Sequence, residues 1–358
     1  MRKSLLFLSA ILLIACCGKK PASEGPESPE GPETPEGPVV IHTPVPAFAK
    51  GADISWVTEM ESKGYKFYAS DGTETECTLL MKNLGCNAVR YRVWVNPSAG
   101  WCNKEDVLVK AKRAQALGLA IMIDFHYSDS WADPGQQTIP AAWKGKNLNE
   151  MIKAVSEHTT EVLTLLKEEG IDVAWVQVGN ETNTGMLWET GRLSSSNSKD
   201  FCLLANAGSD AVKAVYPDAL VILHHSNAQD LNANKWFYNL VKTGGAKYDM
   251  IGLSLYPSYW ENSGYPDWTT KTYQAVTNFQ TLYTTYSKPV MLVEFGMPAS
   301  EPAKAKAALQ YILDNVKDYA WFKGVFYWEP ESEQSRNNYG YGAFSGGRAT
   351  MALDPFKK

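Results

Sequence analysis

Leu117-Gly118-Leu119-Ala120-Ile121-Met122-Ile123-Asp124-Phe125-His126 is the stretch whose pattern selects a fold. A helical period over residues 105–117 stops at Gly118, which supplies a left-handed end, and an apolar run too short for a helix follows at once. That run closes on Asp124 and His126, then opens into a long polar segment, Ser128 to Gly145. The next helical pattern, 148–169, stops in turn at Gly170 before another apolar run.

The same unit recurs along the chain. Strands are predicted at 51–54, 88–94, 119–126, 173–180, 220–225, 250–256, 290–295 and 324–328, with helices at 75–84, 105–117, 148–169, 199–215, 233–241, 273–286 and 302–316. Connections into the strands are tight, whereas those leaving them (128–145, 182–198, 257–270 and everything after Glu329) are long, polar and rich in aromatic residues. Eight strands alternating with helices predict an α/β fold, a single (β/α)8 TIM barrel with long βα loops, whose functional groups gather where the strands end. A dinucleotide-binding sheet needs a Gly-rich turn after an early strand, and none follows these.

Outward from the barrel, the N-terminus reads as targeting sequence. Met1-Arg2-Lys3 precedes an apolar run from Leu5 to Ile14 that is too short to span a bilayer, and Leu13-Ile14-Ala15-Cys16 resembles a bacterial lipoprotein signal. The expected division is 1–15 signal peptide, 16–40 lipidated N-terminus and flexible linker, and 41–358 catalytic domain, with Cys16 the lipidated residue. Repeated Glu-Gly-Pro units between Gly18 and Pro38 make the linker an extended, disordered Pro/Glu/Gly tether. The expected location is the cell envelope, anchored by lipid to a bacterial membrane, with the outer membrane favoured and no other membrane contact. Net charge is −5, so nucleic acid is not an expected partner, and a monomer is expected. Cys77, Cys86, Cys102 and Cys202 fit buried thiols and one bridge equally well, and no CxxC pair marks a zinc site.

Polar residues concentrate at the predicted strand ends: Asp53, Arg90 and Arg92, Asp124 and His126, Asn180 and Glu181, His224 and His225, Tyr256, Glu294, Trp328 and Glu329. Charges brought together on one rim need partners, because uncompensated burial costs several kcal/mol. Glu181 ends the fourth strand and Glu294 the seventh, so a closed barrel sets them across its mouth, as two carboxylates flanking a glycosidic bond must stand.

Five segments carry a closer resemblance: Val89-Arg90-Tyr91-Arg92-Val93-Trp94-Val95-Asn96-Pro97, Asp124-Phe125-His126-Tyr127-Ser128-Asp129-Ser130-Trp131-Ala132-Asp133-Pro134-Gly135, Val176-Gln177-Val178-Gly179-Asn180-Glu181-Thr182, Gly252-Leu253-Ser254-Leu255-Tyr256-Pro257 and Gly324-Val325-Phe326-Tyr327-Trp328-Glu329-Pro330. In this order they resemble glycoside hydrolase family 53, the endo-β-1,4-galactanases, from Gly51 to the eighth strand. The resemblance implies retaining endo-hydrolysis of β-1,4-galactan or type I arabinogalactan, with Glu181 as acid/base, Glu294 as nucleophile and Asn180 on the sugar 2-hydroxyl. It also implies an arginine beside Glu294. Strand alternation puts Arg90 and Arg92 on one side without choosing between them, and Arg90 is carried forward as the candidate. Asp124, His126, Trp131, His224, Tyr256 and Trp328 complete the expected substrate-binding set.

No cofactor and no metal are expected: the histidines lack the two-residue spacing on the first strand that metal-dependent barrels use, and no acidic calcium loop follows the seventh strand. Two other readings remain, a non-catalytic sugar-binding lipoprotein and a retaining barrel glycosidase acting on another β-1,4-glycan such as mannan. Of 12 tryptophans, Trp175, Trp236 and Trp321 fall on helices or strand entries. The other nine (Trp56, Trp94, Trp101, Trp131, Trp143, Trp188, Trp260, Trp268 and Trp328) fall at strand ends or in the following loops, where pyranose faces would stack.

Overall fold

A computed structural model describes residues 42–259, 261 and 263–357. The signal, the lipidation residue Cys16 and the tether lie outside the described residues, as does Trp260. Eight parallel strands close into a barrel: β1 Ala49–Asp53, β2 Ala88–Val93, β3 Ala120–Phe125, β4 Trp175–Val178, β5 Leu220–His225, β6 Met250–Leu255, β7 Val290–Phe295 and β8 Phe322–Trp328. Each pairs with its sequence neighbours, and β8 closes on β1. Most strands are buried on both faces, which is why they read as nearly continuous apolar runs rather than alternating ones.

The helices are α1 Val57–Ser62, α2 Cys77–Asn83, α3 Lys104–Ala116, α4 Leu148–Glu168, α5 Lys199–Val215, α6 Leu231–Thr243, α7 Trp268–Tyr286 and α8 Pro302–Val316. In α4, Asn147 and Glu150 form a reciprocal capping box, and Met151, Ala154, Val155, His158, Val162 and Leu166 build one buried stripe at helical spacing. The sequence pattern does not predict α1, whose six residues are too few to show a period. It also starts α7 late, because Asp267, the residue that caps this helix through its side chain, stands before a polar first turn. After β8 come a four-residue helix, Gln334–Asn337, and a 3-10 segment, Met351–Lys357, which packs on α8 through buried Leu353 and Phe356 where a long helix usually follows the last strand. All four described cysteines are buried free thiols, which decides between the two readings left open for them.

Inside the barrel, Ala49, Ala88, Met122, Trp175, Ile222, Met250, Met291 and Phe326 fill the lower layers. Above them lies a layer of charge and amide: Asp53, Arg90, Arg92, Asp124, Gln177, His224 and Glu294, all buried.

Two departures from regular strand geometry shape that upper layer. Along β7, Met291 and Val293 face the interior, so strict alternation would turn Glu294 outward. A bulge prevents this: Leu253 pairs with Leu292 but Ser254 pairs with Glu294, leaving Val293 as an extra residue, and Glu294 points inward beside it. The second departure shortens the fourth strand, predicted to reach Asn180, to end at Val178. Gly179 takes a left-handed φ of 84°, and a Cβ there would stand 2.6 Å from Thr182 Cγ2, so the chain turns upward into Asn180 and Glu181.

Candidate active site

Arg90 stands at the centre of the mouth. Its Nη1 donates to Asp53 Oδ2 at 2.6 Å, while Nη2 lies 2.9 Å from Asp124 Oδ2, 3.0 Å from Glu294 Oε1 and 2.9 Å from Asn180 Oδ1. Arg92, on the same face of β2, pairs instead with Glu329, so the structure sets Arg90 beside Glu294. Glu294 accepts a second bond, from the Tyr256 hydroxyl at 2.7 Å. Both contacts favour the ionised carboxylate.

Glu181 projects from the turn after β4 with φ 41°, an uncommon conformation for a residue with a side chain. Its surroundings fix it there. The Glu181 amide donates to His224 Nδ1 at 3.2 Å, the Thr182 amide to the His224 carbonyl at 2.9 Å, and Gln137 Nε2 to the Asn180 carbonyl at 2.8 Å. His224 is buried and held neutral, its pKa pushed well below the usual imidazole value by burial and then by Arg90. Its Nδ1 receives donors from Glu181 and Gln177, which leaves Nε2–H to donate to Ser254 Oγ at 2.7 Å. Ser254 in turn bonds to the Glu181 carboxylate.

The two glutamates are electrostatically linked. Burial raises both pKa values above the usual carboxylate range, and each negative charge opposes the other across the cleft. Contact geometry separates the two: Glu294 has Arg90 and the Tyr256 hydroxyl as donors to its charged form, whereas Glu181 has the Ser254 hydroxyl and no cation in contact, and faces Asp133, which raises it further.

His126 is placed by the same network. Its Nε2 lies 3.0 Å from Asp124 Oδ2, and its Nδ1 accepts from Trp94 Nε1 and from the Ala132 amide, both at 3.2 Å, which fixes the tautomer with the proton on Nε2. Glu181, Glu294, Asn180, His126, Trp131, Tyr256 and Trp328 line a cleft of about 480 Å3, with Arg90, Asp124 and His224 directly beneath. A cavity of similar size, about 500 Å3, lies at the strand-entry end, but its charged lining groups (His42, Lys167, Asp172 and Asp218) are exposed or half-buried. Two carboxylates, one buried and one half-buried, sharing one cleft, rather than volume, single out the mouth as the candidate reactive end.

Sequence reasoning left out several participants. Gln177 donates to Asp124 Oδ1 at 2.5 Å and to Asn180 Oδ1 at 3.0 Å, and the visible signal was a lone polar residue inside the apolar run Val176-Gln177-Val178. Ser254 carried the same kind of signal in β6. Tyr259, Asn227 and Tyr339 enter the cleft from loops with no period to mark them. Of the nine tryptophans assigned to strand ends and loops, Trp56, Trp94, Trp131 and Trp328 gather at the cleft. Trp143 instead packs in the interior against Tyr127 and His158, and Trp268 opens α7 against the core. His225, neighbour of the site histidine, is buried against Phe237.

A model of glycosyl hydrolase family 53 matches residues 49–352, from the first barrel strand to the C-terminal segment. The chain belongs to that family. Among its relatives is a probable arabinogalactan endo-β-1,4-galactanase A of Neosartorya fischeri, 32% identical over 78% of this chain and 83% of the relative. The structure of a fungal β-1,4-galactanase superposes with a TM-score of 0.78 at 28% identity, covering 86% of this chain and 98% of that one. A family 53 catalytic domain from Ignisphaera aggregans superposes at 0.75 and 27%, covering 89% and 97%. As a family 53 member the chain is a glycoside hydrolase, and its mouth carries the paired carboxylates that such chemistry needs.

Proposed function

We propose that this glycoside hydrolase cleaves β-1,4-galactosidic bonds within galactan or type I arabinogalactan, with retention of anomeric configuration. The observation that carries the mechanism is the asymmetry of the pair: Glu294 is buried and held by Arg90 and Tyr256, and Glu181 is half-buried with no cation in contact. Glu294 attacks the anomeric carbon as the glycosidic C–O bond breaks, and Glu181 gives its proton to the departing oxygen. In the second step Glu181 takes a proton from water, which attacks the same carbon and releases Glu294. Asn180, with its amide nitrogen bonded to the Ala132 carbonyl at 2.8 Å, is set to meet the sugar 2-hydroxyl. Trp131 and Trp328 offer stacking faces to the pyranose rings.

Lipidation at Cys16 and residence in the cell envelope belong to the same proposal, and the support is Leu13-Ile14-Ala15-Cys16 with the Pro/Glu/Gly linker. A monomer suffices for the chemistry.

The test is release of reducing ends from β-1,4-galactan, β-1,4-mannan and cellulose by the wild type, Glu181→Gln and Glu294→Gln. Galactan cleavage by the wild type is expected, with each variant reduced by at least about 10³-fold. Binding of galactan without cleavage would favour a sugar-binding protein, and cleavage of mannan alone would refute the substrate.

A further inference from the structure

Arg92 has no place in the mechanism above, yet it is only 1% exposed beneath the cleft. Its Nη1 pairs with Glu329, whose other oxygen accepts from the Trp56 amide at 3.2 Å. Nε and Nη2 have no hydrogen-bond partner among the described residues. Indole rings surround the guanidinium instead: its carbon is 4.9 Å from the centroid of Trp56, 5.3 Å from Trp94 and 4.6 Å from Trp131. The rings also hold one another. Trp56 meets Trp131 and Trp328 edge-on at 5.5 and 5.3 Å, and Trp131 lies 5.9 Å from Trp328. Beneath the pair, Glu331 is fully buried against Glu329.

A buried cation is expensive, and replacing such a pair by apolar side chains is often neutral or stabilising. Stability alone therefore does not account for a guanidinium with one nitrogen paired to Glu329 and two left to ring faces. Three faces around one planar cation fix three ring orientations, which a set of apolar contacts alone leaves free to re-pack. Two of the rings concerned, Trp131 directly and Trp328 through Trp56, form cleft wall.

We infer that Arg92, clamped by Glu329, is a positioning residue for substrate binding: it holds the tryptophan wall on which sugar units of the polymer stack, and takes no part in bond cleavage. The inference rests on the glycosidase reading of the cleft. It separates binding from chemistry within one site, since Arg90 serves Glu294 while Arg92, two residues on, serves the rings.

The test compares Arg92→Met, Arg92→Lys and Glu329→Gln with the wild type. KM for galactan is expected to rise about ten-fold in Arg92→Met, with kcat changed by less than about three-fold and the pH limbs of kcat in place. Arg92→Lys keeps the charge but loses the plane, and is expected to recover less than half of the KM effect. In a Glu294→Gln background, calorimetry should show the same ten-fold loss of affinity for a galactotetraose. Near-UV circular dichroism, which needs no substrate, should lose tryptophan intensity in both Arg92 variants. If Arg92→Met does not fold, Glu329→Gln carries the test, with a rise in KM of about three-fold. Unchanged KM and dichroism with a lowered melting temperature would make Arg92 structural only and overturn the inference. A shared loss of kcat with a moved pH limb would overturn it by placing Arg92 in the chemistry. A wild type inactive on galactan would contradict the function proposed above, and the dichroism would still decide the role of Arg92.

Discussion

One guanidinium, Arg90, faces Asp53, Asp124 and Glu294, so the mouth holds more negative than positive charge before Glu181 and Asp133 are counted. The proposed mechanism needs a proton on Glu181, the member of the pair with no cation in contact. Asp133 adds to the field on that residue while its own carboxylate accepts from the Gly135 amide and Gln136 Nε2. Asp133→Asn removes a negative charge that disfavours ionisation of Glu181, so the Glu181 pKa falls and the general acid loses its proton at lower pH. The alkaline limb of kcat/KM should move to lower pH by about half a unit to one unit, read from a full pH profile. A limb that stays in place or moves upward would contradict the assignment of acid and nucleophile. At this scale the sequence was informative wherever a charged group ended an apolar run, as with Asp124, Glu181 and Glu294. It was silent between Arg90 and Arg92, because side-chain alternation gives both the same face and only the reach of each guanidinium separates them. Gln177 and Ser254 were visible as letters, but their donor roles follow from neighbours on other strands.

At the scale of elements, the reactive groups depend on where two strands stop being regular. The bulge at Val293 reverses the facing of Glu294, and Gly179 turns β4 upward so that Glu181 rises in a strained conformation above His224. Gly179→Ala brings a Cβ to 2.6 Å from Thr182 Cγ2 at a φ of 84°, so the turn must shift and Glu181 with it. A displacement near 1 Å at a catalytic group costs about 10²-fold, and a loss of that order in kcat is expected with the barrel intact by far-UV circular dichroism. Full activity in Gly179→Ala would show that the turn does not set the acid. Neither device was legible beforehand: a bulge is a disagreement between two strands about register, which one strand's pattern does not contain. Helices with long periods, such as α4, were readable nearly to the residue, whereas α1 and the first turn of α7 lacked enough period to register.

For the whole molecule, the long exits at one end of the barrel and tight entries at the other foretold which face would carry the chemistry. The pattern of eight short apolar runs sufficed for closure because parallel strands buried on both sides have few alternatives once helices separate them. The C-terminal 3-10 segment, which stands where a long helix usually follows the last strand, escaped it, since Met351–Lys357 is too short and contains Pro355. What the assembled barrel adds is a single cleft at the mouth, where Trp131 and Trp328 share one wall with Glu181 and Glu294. The most direct measurement of this account is the anomeric configuration of the first products from β-1,4-galactan, followed by proton NMR before mutarotation. Glu294 as nucleophile and Glu181 as acid/base predict that the β-anomer appears first and the α-anomer only later; an α-anomer that appears first would contradict them.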